Sequence, residues 1–525
     1  MTGSRQKNSK RGLNLDRRRF MASGAGFGLA GALALRGAGA YASDAPDKGG
    51  VFRLGMIEGE TTDTLDPRTT NTTYMAHVNL QLRNCLVEIG PNMSLLPELA
   101  EEFQPRDSGK SWAFKVRTGV EFHNGKPLTA EDVVYSINLH RGPDSTSGAK
   151  ALLDAVTDIR VEDGQWVVFL LENANVDFPY VLADYHMVIV PDGTTDFSDG
   201  MGTGGYVLET FKPGIVTRAR RNPNYWKDGR AHFDAVETIA ISDATARINA
   251  LLSDAVDAII QVGYDAAGPM ARKDDLQLIE VPSTQHVVLP MRMDIPPFDN
   301  LDLRLALKYA IDREHILEAV LGGHGTLGND HPIAPVNRFY ADDIPMRAYD
   351  PEKAKYHLQK SGHDTIDLTL DASDAVLGFG VDLAVLLKES ASKAGINVNI
   401  RRNPSDGYWS NVWREKPWFE GFWAGRPTAD WMFTQAYAAE APWNEARWKN
   451  TRFNALLVNA RAELDEGKRA AMYHEMQLLC RDDGGSIIPI FTNILDAANS
   501  RVRYDGLASN LAGDGARCAE RWWFT

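Results

Sequence analysis

Arg426 stands in the stretch GFWAGRPTADWMFTQAY, residues 421–437, with Phe422, Trp423, Trp431, Phe433 and Tyr437 around it and no acid before Asp430. A guanidinium presents its N–H donors in a planar fork, and aromatic faces can hold that fork oriented and partly dried. The combination suits two-point capture of a carboxylate. The setting extends beyond one arginine. Of twelve tryptophans, Trp409, Trp413, Trp418, Trp423, Trp431, Trp443 and Trp448 fall between residues 409 and 448, interleaved with Arg402, Arg414, Arg426 and Arg447. A single tryptophan reads as core as readily as site. This density, with cations between the rings, reads as the wall of a pocket that closes on a ligand.

Reaction chemistry is absent from the motifs. There is no G-x-S-x-G elbow, no C-x-x-C pair and no H-E-x-x-H, since His474-Glu475 lacks the second histidine. Ser108-Gly109-Lys110-Ser111 ends like a phosphate loop, but Gln104 takes the place of its first glycine. Gly202-Thr203-Gly204-Gly205 lacks the glycine spacing of a dinucleotide loop, and the acids show no spacing that marks a glycosidase pair. His357 and His363 flank a helix end and read as a solvated face sooner than as a metal pair. The expectation is a binding protein with no cofactor, not an enzyme.

The first 42 residues read as an export address. Asp16-Arg17-Arg18-Arg19-Phe20-Met21 precedes an uncharged Gly/Ala-diluted run to Leu35, followed by Arg36 and Ala40-Tyr41-Ala42. That order is the basic start, apolar centre and small-x-small end of a bacterial signal peptide, and Arg17-Arg18 with Phe20 resembles the twin-arginine pattern. The run is too short for a transmembrane helix, which needs about 20 apolar residues. With no cysteine before Cys85, a lipid anchor is not expected, and the destination is the periplasm. Cys85, Cys480 and Cys518 allow at most one disulfide. The formal charge is −14, and loss of the basic leader makes the chain more acidic still. Nucleic acid and anionic lipid are therefore poor partners. The length, 525 residues, exceeds what one core can serve and implies two or three lobes.

Strand-like and helix-like stretches alternate, the α/β pattern. Strands are expected at Val51–Ile57, Trp112–Arg117, Gln165–Leu171, Val188–Val190, Thr365–Leu370 and Asn397–Arg401. Helices are expected after the N-cap Thr129 and over Asn300–Ile316, Pro351–Ser361, Asp382–Ala394 and Leu456–Cys480, the last broken near Asp465-Glu466-Gly467. Two stretches, Ser283–Met293 and Ile487–Asn493, read as crossings between lobes, the paired connections a hinge requires.

Several of these stretches, taken together, resemble family 5 of the extracellular solute-binding proteins, the dipeptide-, oligopeptide- and nickel-binding group that serves ABC importers. VEFHNGKPLTAEDVVYS (120–136) is similar to its signature, GTGGYVLETFKPG (202–214) and RNPNYW (221–226) to a paired motif, and PFDNLDLRLALKYAIDREHI (297–316) and YDPEKAKYHLQKSG (349–362) to consecutive helices. LDP (65–67) and LPELAEEF (96–103) match its N-terminal region, so the landmarks span the chain in order. The resemblance implies a two-lobed α/β binding-protein fold. Lobe I would hold residues 44–285 and 490–525, with an extra subdomain at about 95–200, and lobe II residues 286–489. It further implies a monomer that takes a peptide or other small solute in the interlobe cleft and hands it to membrane permease subunits. A metal or metal chelate is the alternative cargo.

Ligand contacts are then expected from Thr61 and Thr62 in the loop 58–62, from His286 at the crossing, and from Tyr408, Trp409, Trp423, Arg426, Asp430 and Trp431. One position departs from the pattern. Peptide binders of the family commonly carry an acid after Trp-x-Gly to hold the ligand's ammonium group, and here Trp423-Ala424-Gly425 is followed by Arg426. Either Asp430 takes the amine while Arg426 holds a carboxylate, or the solute is opine-like or otherwise anionic and has no amine there.

Overall fold

Strand Val51–Met56 alternates its side chains so that Phe52, Leu54 and Met56 are fully buried, and it pairs in parallel with Ala235–Ala240 and Ala258–Ile259. In this computed structural model, which describes residues 48–525, that strand belongs to a ten-stranded mixed sheet. Eight run in the order Gly421–Trp423, Leu276–Pro290, Ile490–Asn499, Ala258–Ile259, Val51–Met56, Ala235–Ala240, Val216–Arg221, Tyr206–Lys212, while Gly325–Leu327 pairs with Ile490–Asn499 and Ser486–Ile487 with Leu276–Pro290 off this path. The stretch expected to be a leader, with Arg17-Arg18, lies outside the described residues.

The expected crossings are one antiparallel pair. Leu276–Pro290, fifteen residues long, runs against Ile490–Asn499, with a register shift between Pro282 and His286. At the shift, side chains replace the interrupted ladder. Ser283 Oγ donates to the Thr492 carbonyl at 2.7 Å and Thr492 Oγ1 donates to Gln285 Oε1 at 2.8 Å. The long strand serves separate cores on the two sides of the shift. Ile279 and Val281 pack with Phe52, Val236 and Trp522, whereas Val287 and Leu289 pack with Leu307, Leu370 and Trp418.

A further core lies under a four-stranded antiparallel sheet ordered Ala100–Arg106, Ser111–Val116, Trp166–Leu171, Val156–Glu162. Helix Ala130–Asn138 covers it, and Thr129 caps that helix as its sequence predicts. Thr129 Oγ1 accepts from the Asp132 N–H and the Asp132 carboxylate accepts from the Thr129 N–H, a complete capping box. The glycines of GTGG have a packing reason: a Cβ on Gly202 would stand 2.2 Å from the Leu82 carbonyl oxygen, and one on Gly204 2.4 Å from the Leu82 carbonyl carbon. That loop therefore lies against the end of helix Thr73–Leu82.

Two expected elements differ. Val188–Val190 is buried but joins no sheet, because the Ile189 N–H donates to the Asn84 carbonyl and the Val190 N–H to Ser136 Oγ instead of to a neighbouring strand. Asn300–Ile316 is two helices, Leu301–Ala310 and Arg313–Leu321, because Asp312 turns extended and caps the second by accepting from the His315 N–H. The remaining helices keep their expected places. The break at 465 is an N-cap, with the Asp465 side chain accepting from the Lys468 N–H ahead of helix Glu466–Asp482. All three cysteines are buried and free.

Candidate functional site

A cavity of about 400 Å³ is lined by residues from well-separated stretches of the chain. One wall comes from Tyr180, Asp184, Tyr185, His186, Leu511 and Arg517, the other from the loop Ala424–Pro427 with Trp431 and Gln435. The loop is placed by the edge strand Gly421–Trp423, which pairs with Val288, Val287 and His286 just past the register shift. A Cβ on Gly425 would meet Thr284 Oγ1 at 2.4 Å, so the close approach of loop and long strand requires a glycine.

Arg426 projects from this loop into the cavity. Its Nε donates to Gln435 Oε1 at 2.7 Å, and its Nη1 donates to the carbonyls of Ala424 at 3.1 Å and Gly425 at 3.2 Å. The guanidinium carbon lies 5.7 Å from the centre of the Trp423 ring, within cation–π range. Among the described residues no carboxylate pairs with Arg426, and Nη2 has no hydrogen-bond partner. Burial lowers its proton affinity, and the charges of Tyr185 and Asp184 on the facing wall oppose that shift. The fork is therefore held at one edge by neutral acceptors and leaves its cationic edge for an anion.

Ala424 and Arg426 also border a second concavity, an open groove of about 280 Å³ walled by Trp409, Trp413, Phe422, Trp423 and Trp443. Trp409 meets Phe422 edge-on at 5.5 Å and Trp443 lies 5.6 Å from Trp423. Behind the rings sits Glu445, buried, its Oε1 accepting from the Trp413 indole at 2.6 Å and its Oε2 from the Trp423 indole at 2.9 Å. Burial pushes the Glu445 carboxyl up to about 7, against the pull of the two indoles and Arg414. These rings are thus fixed by a polar bolt, which gives a rigid apolar surface beside the arginine.

The structure brings together only part of the set expected from sequence. Arg426 and Trp431 line the cavity, and Trp409 and Trp423 line the groove. The other expected contacts border neither. Tyr408 is core, its hydroxyl donating to the carbonyls of Glu420 at 2.8 Å and Asp371 at 3.2 Å. Asp430, instead of facing an amine, accepts from Arg461 Nε at 3.1 Å, and burial raises it to about 6 against that partner. His286 is fully buried beside Phe491, and burial lowers it to about 4. Thr61 and Thr62 lie on an exposed loop, where Thr62 Oγ1 donates to Glu60 Oε2 at 3.3 Å.

Comparison with known proteins fits this layout. Residues 94–445 match the bacterial extracellular solute-binding proteins, family 5 middle. The chain belongs to that family. The glutathione-binding protein GsiB of Salmonella typhimurium is 24% identical over 460 residues, covering 84% of this chain and 89% of GsiB. HbpA2 of Haemophilus parasuis superposes with a TM-score of 0.82 at 20% identity, covering 91% of this chain and all of HbpA2. AgaA of A. tumefaciens R10, solved with agropinic acid, gives a TM-score of 0.71 at 22% identity, over 91% of this chain and 99% of AgaA. The fold is the two-lobed one these structures share.

The family frame also locates a charged cluster that the sequence reading missed. Immediately after RNPNYW, Lys227 donates to Glu88 Oε2 at 2.7 Å, Glu98 Oε1 at 2.7 Å and Glu520 Oε1 at 2.9 Å. Arg517 donates to both oxygens of Glu98 at 2.8 Å and to Glu520 Oε2 at 3.0 Å. Burial would raise Glu88, but Lys227, Arg517 and Arg521 outweigh it and hold the carboxylate well below its usual range. Among the described residues these three glutamates form the one cluster with metal-ligand spacing, and the Lys227 ammonium fills it. Arg517 carries the cluster to the cavity wall while its charge is spent on glutamates.

Proposed function

We propose that this protein is the periplasmic capture component of an ABC importer and takes a peptide-like or opine-like solute that presents a carboxylate to Arg426. The observation that carries this is a desolvated guanidinium that has no acidic partner among the described residues, on the wall of a cavity lined by residues 80–186, 424–435 and 510–517. The names of the relatives support the ligand class: one binds glutathione, a peptide, and another was solved with agropinic acid, an opine. The lobes are residues 44–285 with 490–525, carrying the subdomain at about 95–200, and residues 286–489. They hinge at the register shift in the long strand. A solute can shift an open–closed balance only by binding one state better than the other, so it must touch both lobes. Delivery to the permease follows as a monomer exported by the twin-arginine route without a lipid anchor.

The test is a thermal-shift screen of dipeptides, opines, amino-acid derivatives and metal chelates, followed by titration calorimetry on Arg426→Glu. A charge-assisted bidentate contact is worth roughly 1.5–3 kcal/mol, so Arg426→Glu is expected to weaken the best acidic ligand on the order of 100-fold. Unchanged affinity in a folded variant assigns Arg426 a structural role and removes the carboxylate reading. A shift by a nickel chelate with none by peptides selects the metal-chelate alternative.

A further inference from the structure

The cavity carries an acid as well as a cation, and nothing in the motif that holds Arg426 announces it. Asp184 lies on the facing wall, in the loop after the short helix Phe178–Val181. Its Oδ1 accepts from the His186 backbone N–H at 3.0 Å and from His186 Nδ1 at 2.6 Å. Oδ2 has no partner among the described residues, and the side chain is 18% exposed where it borders the cavity. The loop is not slack. The Met187 N–H donates to the Asp184 carbonyl at 2.8 Å, the Ile189 N–H to the Asn84 carbonyl at 2.9 Å, and the Tyr185 and His186 rings stack at 4.4 Å. The carboxylate is thus held by one oxygen and offered by the other. Tyr185, whose hydroxyl has no hydrogen-bond partner among the described residues, borders the same space.

The geometry points to Asp184 as the anchor for an ammonium group of the solute, opposite Arg426 as the anchor for its carboxylate. This rests on the reading of the cavity as the solute site and narrows its ligand to an amino-acid derivative or short peptide that keeps a free amine. An ammonium group donates in three directions, to Asp184 Oδ2 and the Tyr185 oxygen among them. The position of the acid explains why Trp-Ala-Gly can be followed by arginine here: the anchoring charges are exchanged between the walls, so the ligand lies reversed relative to one held by an acid at that position. A dipolar molecule gripped at opposite ends by opposite walls also contacts both lobes, as closure demands. A cavity of about 400 Å³ is at the small end of ligand sites and suits a solute of one or two residues.

Glu58 is the competing acid. It borders a neighbouring concavity that shares Tyr185 and Leu511 with the first, but its Oε2 already accepts from the Thr73 N–H at 2.8 Å. The experiment is titration calorimetry of a dipeptide panel, each member as the free zwitterion, the N-acetyl form and the C-terminal amide, against wild type, Asp184→Asn, Asp184→Glu and Glu58→Gln, with melting curves to confirm folding. Wild type is expected to prefer the free amine by about tenfold or more, the scale of one charged hydrogen bond. Asp184→Asn flattens that preference while keeping the preference for acid over amide. Asp184→Glu, which keeps the charge and stands in if the asparagine variant does not fold, retains part of the amine preference, and Glu58→Gln retains all of it. An amine preference that survives in Asp184→Asn, or disappears in Glu58→Gln, overturns the assignment and leaves the carboxylate reading of Arg426 in place. Equal binding of free and N-acetyl forms by wild type does the same. A panel in which no form binds overturns the Asp184 assignment, and the carboxylate reading of Arg426 then falls only if the opines of the wider screen also fail to bind.

Discussion

Glu445 accepts from two indoles in a buried setting, and its proton leaves near pH 7 in the folded chain against an ordinary 4.5. Between those values the folded state holds a proton that the unfolded chain has released, so stability falls as pH rises from about 4.5 to 7. At about 1.4 kcal/mol per pH unit, the loss is on the order of 3–4 kcal/mol. Glu445→Gln has no proton to lose. The variant is expected to start less stable at pH 5, because its amide nitrogen must face one indole N–H, and to gain on wild type by that amount by pH 8. Parallel melting-temperature curves across this range would refute the ionisation argument. At this scale the sequence was half legible. Arg426 announced itself because its aromatic neighbours are adjacent in the chain. Asp430 misled, because its partner Arg461 is a full helix away and its direction is set by that helix, not by the local stretch. Asp184 gave no signal at all, since an acid between Ala183 and Tyr185 comes to line a cavity with residues 424–435 only through the fold.

Helices were readable wherever a cap residue and a run of apolar residues coincided, as at Thr129, Asp350 and Asp465. They were misread where a cap sits inside a continuous apolar run, as Asp312 does. Of the central sheet only Val51–Met56 and the two crossing stretches were visible, and the strand order was not, because pairing between residues more than two hundred positions apart leaves no local trace. The same holds for the cluster around Lys227, which ties the loop after RNPNYW to Glu88 and Glu98 near the start of the fold and to Glu520 near its end. Removing one partner of a buried ionic network leaves charges without compensation, at a cost of about 3–5 kcal/mol. Lys227→Met is accordingly expected to lower the unfolding free energy by that amount, read as a lower urea midpoint, and to loosen the wall that Arg517 shares with the cavity. A midpoint within error of wild type would show the network to be neutral.

For the whole molecule, the family landmarks made the fold legible, whereas composition alone reached only as far as an acidic α/β protein of more than one lobe. The routing of the chain is a property at this scale. Arg17→Lys with Arg18→Lys is expected to abolish periplasmic accumulation of a tagged full-length chain, and undiminished accumulation would remove the twin-arginine assignment. The topology bears on how such a chain is made. Ile490–Asn499 lies between Leu276–Pro290 and Ala258–Ile259 in the middle of the sheet, and Glu520 closes the cluster that Glu88 begins. Contacts of such long separation form only after the loop-closure entropy between them has been overcome, and here one partner is synthesised far later than the other. A ribosome must therefore pass residue 499 before Ala258–Ile259 and Leu276–Pro290 gain the strand that lies between them, whereas Val51–Met56 has both its neighbours by residue 259. Completion of the central sheet is in this sense an event of the released chain, and strands made at its midpoint wait as nascent, unpaired edges for a neighbour that is made almost last.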